Sequence, residues 1–227
     1  MGAATPSVGH GLRDSTRGQQ RVLSGVRDAI QGGELVPGQR LVEADLVEQF
    51  GATRASVRAA LADLAAEGLV ERVQNRGARV RVVTLDEAIA ISECRMVLEG
   101  LCAARAARRA SRADVKELTG LRERMREAVA GGELLRYSDL NQRLHQRIMA
   151  IAAQPVAAAL VERLHAQVVR HQFRLALQPG RPRVSLPEHE RIVEAIAAGD
   201  PEAAEAAMRR HLASVVDALS AAAVPIQ

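Results

Sequence analysis

The chain has 227 residues, 48% of them hydrophobic but only 1% aromatic, so its core is built from Ala, Leu, Val and Ile, a composition that favours helices over sheet. A formal net charge of +4 admits an anionic partner without naming one. No window offers about 18 apolar residues free of charge, which argues against a membrane span.

Residues 1–18 lack the apolar stretch of a secretory signal, and their Gly, Ser, Thr and Pro read as a disordered tail. Residues 20–31 then carry Val22, Leu23, Val26 and Ile30 at helical spacing. "QGGELVPGQRL" breaks that helix. "EADLVEQF", residues 43–50, predicts a short helix with Leu46, Val47 and Phe50 inward, ended by Gly51. Thr53 is placed to cap a helix over 54–67 whose inward positions are Val57, Leu61 and Leu64. Leu69, Val73, Val80 and Val82 suggest two short strands, with "QNRG" as the turn.

Two short helices joined by a Gly-containing turn form a helix-turn-helix, and the hairpin after the second is a wing. In that motif the N-terminal residues of the second helix face base edges in the major groove. Arg54 and Arg58 share one face at that end, and Arg binds guanine O6 and N7, or phosphate. Arg76 and Arg79 flank Gly77 in the wing. Paired Arg at this spacing is also the usual look of a solvated helix face, and Arg58 has acidic neighbours to pair with. The charge distribution favours DNA: residues 51–83 hold six Arg against three acidic residues, net +3, whereas residues 34–50 hold one Arg against four, net −3.

Residues 20–83 resemble the winged helix-turn-helix of the GntR family of bacterial transcription regulators, the resemblance being carried by "GELVPGQRLVEADLVEQFGATRASVRAALADLAAEGLVERVQNRGARV". The resemblance implies that Arg54 and Arg58 are recognition-helix arginines, that Thr53 and Ser56 touch phosphate, and that Gly77 is the wing-tip glycine. Ala44 stands where some members have a DNA-contacting Arg, and Ser56 where Pro is common.

From Thr84 onward the pattern is helical throughout, with segments at 85–109, 111–130, 133–152, 155–177, 185–198 and 200–221 separated by Gly and Pro breaks. An antiparallel six-helix bundle is the expected packing, over a domain spanning 84–222 that follows a DNA-binding domain at 19–83. Cys94 and Cys102 lie about 12 Å apart along one helix, too far to pair. Both read as small buried hydrophobes in a reducing, cytoplasmic protein.

His145, His189 and His211 each lie on or beside the apolar face of a different helix. One such residue usually reads as a satisfied core histidine. Three from three bundle helices are the pattern of a metal centre, to which Asn141, one turn before His145, could lend an oxygen. Arg95 falls on the same face as Ile91, Leu98 and Cys102. It points inward and needs an anion there, whether a ligand or Glu99 at i+4. Arg170, His171 and Arg174 either line the same cavity or form a solvated face.

The stretches "RMVLEG", "LNQRLHQRI" and "EHERIVEAIAAGDPEAAEAAMRRHL" resemble the FCD ligand-binding domain of the FadR subgroup of GntR regulators, in its six-helix, VanR-like form. The resemblance implies a divalent metal, Zn or Ni, on His145, His189 and His211, with Asn141 standing where the family carries Asp. It also implies a small organic acid effector held by Arg95; from the cavity-lining reading of its helix, His171 is a further candidate contact. The partners expected are double-stranded DNA with a palindromic operator and a second copy of the chain, since two recognition helices meet half-sites one turn apart. The function expected is a ligand-controlled repressor and not an enzyme. A regulator that senses the metal itself, or a metal-dependent hydrolase using Glu188 or Glu190 as base, are the alternatives.

Overall fold

In the computed structural model, which describes residues 8–73 and 77–221, the chain divides after Val83 into two units. The first runs α1 (Val8–Gln31), β1 (Arg40–Leu41), α2 (Glu43–Phe50), α3 (Arg54–Ala66), β2 (Val70–Val73) and β3 (Gly77–Val80). Val22 and Val26 of α1 and Val57, Leu61 and Leu64 of α3 are buried together with Leu46 of α2, and α1 packs on α3. Two polar contacts staple the same helices. Arg27 grips Glu67 with both Nε and Nη2, and Gln19 donates to Asp63 at 2.7 Å.

Helix α1 starts at Val8, so residues 8–18 are helical where a disordered tail is expected. Two glycines of α1, Gly18 in the expected tail and Gly25 beyond it, mark close approaches. A Cβ at Gly18 would meet the Ser56 hydroxyl at 3.1 Å, and one at Gly25 would overlap the Phe50 ring at 2.3 Å.

The wing has three strands, in the order β1-β3-β2, all antiparallel. Strand β1 is absent from the sequence reading because two residues carry no alternation. It pairs Arg40 with Arg79 and Leu41 with Ala78. Gly77 holds φ +86°, and a Cβ there would sit 2.6 Å from the Leu41 carbonyl oxygen. Its requirement for glycine is therefore the crowding of β1 as well as the turn.

The second unit has six helices: α4 (Leu85–Arg109), α5 (Arg112–Ala130), α6 (Leu134–Ala152), α7 (Pro155–Ala176), α8 (Arg181–Ala197) and α9 (Pro201–Ala221). Caps set their starts. Thr84 accepts from the Glu87 N–H, and Ser111 with Asp114 forms a reciprocal capping box. Helix α4 touches α6, α7, α8 and, most extensively, α9. The buried alanines Ala103 and Ala107 on α4, and Ala204 and Ala207 on α9, let those two approach closely. Leu118, Met125, Leu144, Ile148, Ile192, Ile196, Met208 and Leu212 are essentially sealed in one cluster, and truncating any of them to Ala costs about 2–5 kcal/mol.

Helix α8 begins at Arg181 rather than at 185. Pro182 lies in its first turn, where a missing N–H is harmless. The extra turn brings Arg181 and Ser185 onto the face of His189, at i, i+4 and i+8. Cys102 is buried on α4 as expected, but Cys94 is exposed.

Candidate nucleic-acid interface and candidate metal centre

Thr53 caps α3, its hydroxyl accepting from the Ser56 N–H at 3.1 Å. Arg54 is exposed in the first turn. Arg58 is 63% exposed in its side chain, with Nε on Glu43 Oε2 at 2.8 Å. Ser56 does not reach this surface. It is 1% exposed, and its hydroxyl donates to the Ser15 carbonyl at 2.9 Å. Inserting α1 above it converts an expected phosphate contact into a helix–helix hydrogen bond. In the wing, Arg79 pairs with Glu71 across β2–β3 and faces Arg40 across β1–β3. Arg40, read only as part of an acidic segment, thus joins the basic row. Arg76 lies outside the described residues.

The second unit gathers His145 of α6, His189 of α8 and His211 of α9, with one ligand nitrogen from each within 4.8 Å of the others. Each ring is held by its Nδ1. Glu99 Oε2 lies 2.6 Å from His145 Nδ1, Tyr137 Oη 3.1 Å from His189 Nδ1, and Glu188 Oε2 2.9 Å from His211 Nδ1. The Nε2 atoms of His145 and His189 approach to 3.4 Å. Three imidazoles held by the outer nitrogen and facing one another by the inner one form the arrangement in which a second layer fixes tautomer and ring orientation for a metal.

Burial pushes the pKa of His189 well below its ordinary value, aided by His211 and His145. Burial does the same to His211, aided by His145. The neutral, ligating form of the ring is thereby favoured. Burial would raise the Glu99 carboxyl, but Arg95 and His145 together outweigh it and hold it well below the usual carboxylate range. Arg95 gives Glu99 two contacts, from Nε at 2.8 Å and Nη2 at 2.7 Å. Arg95 is only 4% exposed, and its Nη1 is buried without a hydrogen-bond partner. Glu99 therefore satisfies Arg95 in part and leaves its Nη1 open.

Asn141 Oδ1 is also buried without a hydrogen-bond partner. A buried carbonyl oxygen with an open lone pair, one turn ahead of His145, suits a neutral oxygen donor. The donor set of three neutral imidazoles and one amide oxygen fits a borderline divalent ion.

His171 is half-buried on α7 and is not among the grouped ligand nitrogens. On that helix it is His165 that feels Arg95. Burial, and then Arg95, push its pKa down to about 4. Its signal was in the sequence, since Val161, His165 and Val168 share one helical face. Tyr137 and Glu188 in its bonding role were also missed, because they reach the histidines from other helices, and Arg181 and Ser185 were missed because the helix was expected to begin only at 185.

A capped recognition helix with a three-stranded wing, followed by an all-helical unit enclosing a polar centre, defines a DNA-binding transcription regulator. Residues 19–80 match the family described as "Bacterial regulatory proteins, gntR family", and residues 90–214 match the FCD domain. The chain belongs to the GntR family, in the FadR subgroup that carries a C-terminal FCD domain, and it is a regulator rather than an enzyme. It is 32% identical over 213 residues to the HTH-type transcriptional regulator LutR of Bacillus subtilis, covering 84% of this chain and 96% of that one. It is 30% identical over 203 residues to a probable D-xylose utilization operon transcriptional repressor of Paenarthrobacter nicotinovorans, covering 87% and 88%. Among solved structures, E. coli McbR/YncC shares the fold with a TM-score of 0.75 at 22% identity, covering 90% of this chain and 98% of that one. A putative GntR regulator from Rhodococcus sp. RHA1 does so with 0.67 at 24%, covering 92% and 100%. No helix among the described residues is long and apolar enough to cross a membrane.

Proposed function

We propose that this chain is a cytoplasmic repressor whose grip on a palindromic operator is set by a small organic acid bound in the helical unit. The observation that carries the reading is the triad His145, His189 and His211, each ring held at Nδ1 by a different partner. A divalent ion, Zn or Ni, on these histidines and Asn141 would offer an electrophilic anchor to one carboxylate oxygen. Arg95 presents its open N–H to the same carboxylate. Arg54 and Arg58 read bases in the major groove, Thr53 and the wing contact the backbone, and a homodimer sets the half-site spacing. The acid controls DNA binding only by its different affinity for the operator-competent arrangement and its alternative. The similarity to named repressors supports the sign.

The test is metal content by plasma mass spectrometry on untagged protein purified without chelator, alongside His189→Ala. About one equivalent, lost in the variant, is expected; its absence from a folded protein would overturn the metal part. Operator binding is then titrated with metal alone and with organic acids. A response to metal alone would favour the second reading, in which the ion is the signal, a reading that the triad, anchored at every Nδ1, also permits.

A further inference from the structure

Two buried guanidinium groups approach the triad, each through its own carboxylate. On one side Arg95 binds Glu99 at 2.7 Å, and Glu99 passes its other oxygen to His145 Nδ1 at 2.6 Å. On the other, Arg181 lies 3.7 Å from Glu188 Oε2, the same oxygen that bonds His211 Nδ1 at 2.9 Å. The His145 and His211 rings are 5.3 Å apart between centroids, so the two Arg–Glu–His relays meet at neighbouring rings. Arg181 also donates from Nη1 to the Ser214 hydroxyl at 2.8 Å.

Each arginine keeps one donor unused. Arg95 Nη1 and Arg181 Nη2 are buried without a hydrogen-bond partner, the 3.7 Å approach of Glu188 being too long to satisfy the second. A buried charged donor left open is costly and calls for a ligand or an ordered water. One carboxylate answers one such fork. Two forks, carried by different helices, call for two anionic groups. Charge counting agrees. Glu99 offsets Arg95 and Glu188 offsets Arg181, so a divalent ion on the histidines leaves two positive charges for a ligand to neutralise.

We propose that the effector is a short dicarboxylic acid, with one carboxylate on Arg95 beside the histidine centre and the second on Arg181. This rests on the carboxylate reading given above and goes beyond it by naming Arg181 as the residue that sets specificity.

The test is isothermal titration calorimetry on the full-length chain with zinc supplied, at pH 7.5. Succinate, glutarate and adipate are compared with butyrate and valerate, and with inorganic phosphate as a compact multivalent anion. A diacid should bind about tenfold or more tightly than the monoacid of equal length, the usual scale for one added charged hydrogen bond. Arg181→Gln should abolish that advantage, lowering diacid affinity by a larger factor than monoacid affinity when both are measured on the same variant, with circular dichroism confirming the fold. Arg181→Lys, which keeps the charge, serves if the Gln variant fails to fold, and should retain only part of the advantage. Equal affinity for mono- and diacids, phosphate binding as tightly as the best diacid, or a folded Arg181 variant with an undiminished preference would each overturn the proposal while leaving the carboxylate reading standing. Failure of every acid to bind the zinc-loaded protein would overturn both.

Discussion

Tyr137 Oη stands 3.1 Å from His189 Nδ1 and 2.7 Å from Ser185 Oγ, and the Ser185 hydroxyl donates to the Arg181 carbonyl at 3.2 Å. A carbonyl only accepts, so the proton of Ser185 is committed there and Ser185 must accept from Tyr137. Tyr137 in turn must accept from His189. The relay assigns the His189 proton to Nδ1 and leaves the lone pair on Nε2, toward the other histidines.

Tyr137→Phe removes that assignment with little change of volume. Zinc affinity should fall about tenfold or more, while stability should drop by only about 1 kcal/mol for the lost hydrogen bond. Competition against a chromophoric chelator measures the first and urea unfolding the second. Unchanged zinc affinity in the variant would show that the relay does not orient the ring.

Acid should weaken the metal-free protein earlier than its carboxylates alone would require. Burial lowers His189 and His211, and lowers His165 to about 4. An unfolded histidine, near 6.5, takes a proton that these folded ones refuse, so their contribution is complete above about pH 6.5 and declines as pH falls toward the folded values. For His165 alone the loss is on the order of 3 kcal/mol by pH 4. Glu99, also depressed in the fold, adds a loss only below its own unfolded range. Urea midpoints at pH 7.5, 6.5 and 5.5 should decline, more gently in His165→Gln; a flat series would refute the burial argument.

The helix that begins at Arg54, the exposure of Arg54 and Arg58 on it, all six helices of the second unit and the inward placing of the three histidines were legible, because each is encoded by spacing within a few residues. What was hidden depends on long-range packing. Ser56 looked solvent-facing until α1 covered it, and β1 is too short to show a period. Glu99, Tyr137 and Glu188 reach their histidines over 46, 52 and 23 residues of chain, and no local pattern records such pairings. His165 is the exception, since its face was readable and was passed over.

The Glu43–Arg58 pair, exposed on the Arg58 side, holds the arginine by less than about 1 kcal/mol, so DNA can recruit it at small cost. Against an operator recovered by selection from random DNA, Arg58→Ala should weaken binding by about 1–3 kcal/mol. Glu43→Gln should strengthen it a few-fold by freeing Arg58. Fluorescence anisotropy at fixed salt reads both. Weaker binding by the Glu43 variant would mean that Glu43 positions Arg58 for the base rather than restraining it.

Asn141→Asp should move metal affinity and metal-free stability in opposite directions. The Asn141 oxygen is buried and unpartnered, and as a neutral amide it binds a hard or borderline cation less strongly than a carboxylate would. Introducing Asp places a negative charge where no hydrogen-bond donor meets that oxygen, which should cost the metal-free protein about 1–3 kcal/mol. With zinc present the same charge becomes a ligand, and affinity should rise about tenfold or more. Thermal melts with and without one equivalent of zinc separate the two effects, the variant melting lower than the parent without metal and gaining more on its addition. A variant that melts lower but gains no more than the parent would remove Asn141 from the donor set and leave the three histidines to hold the ion alone.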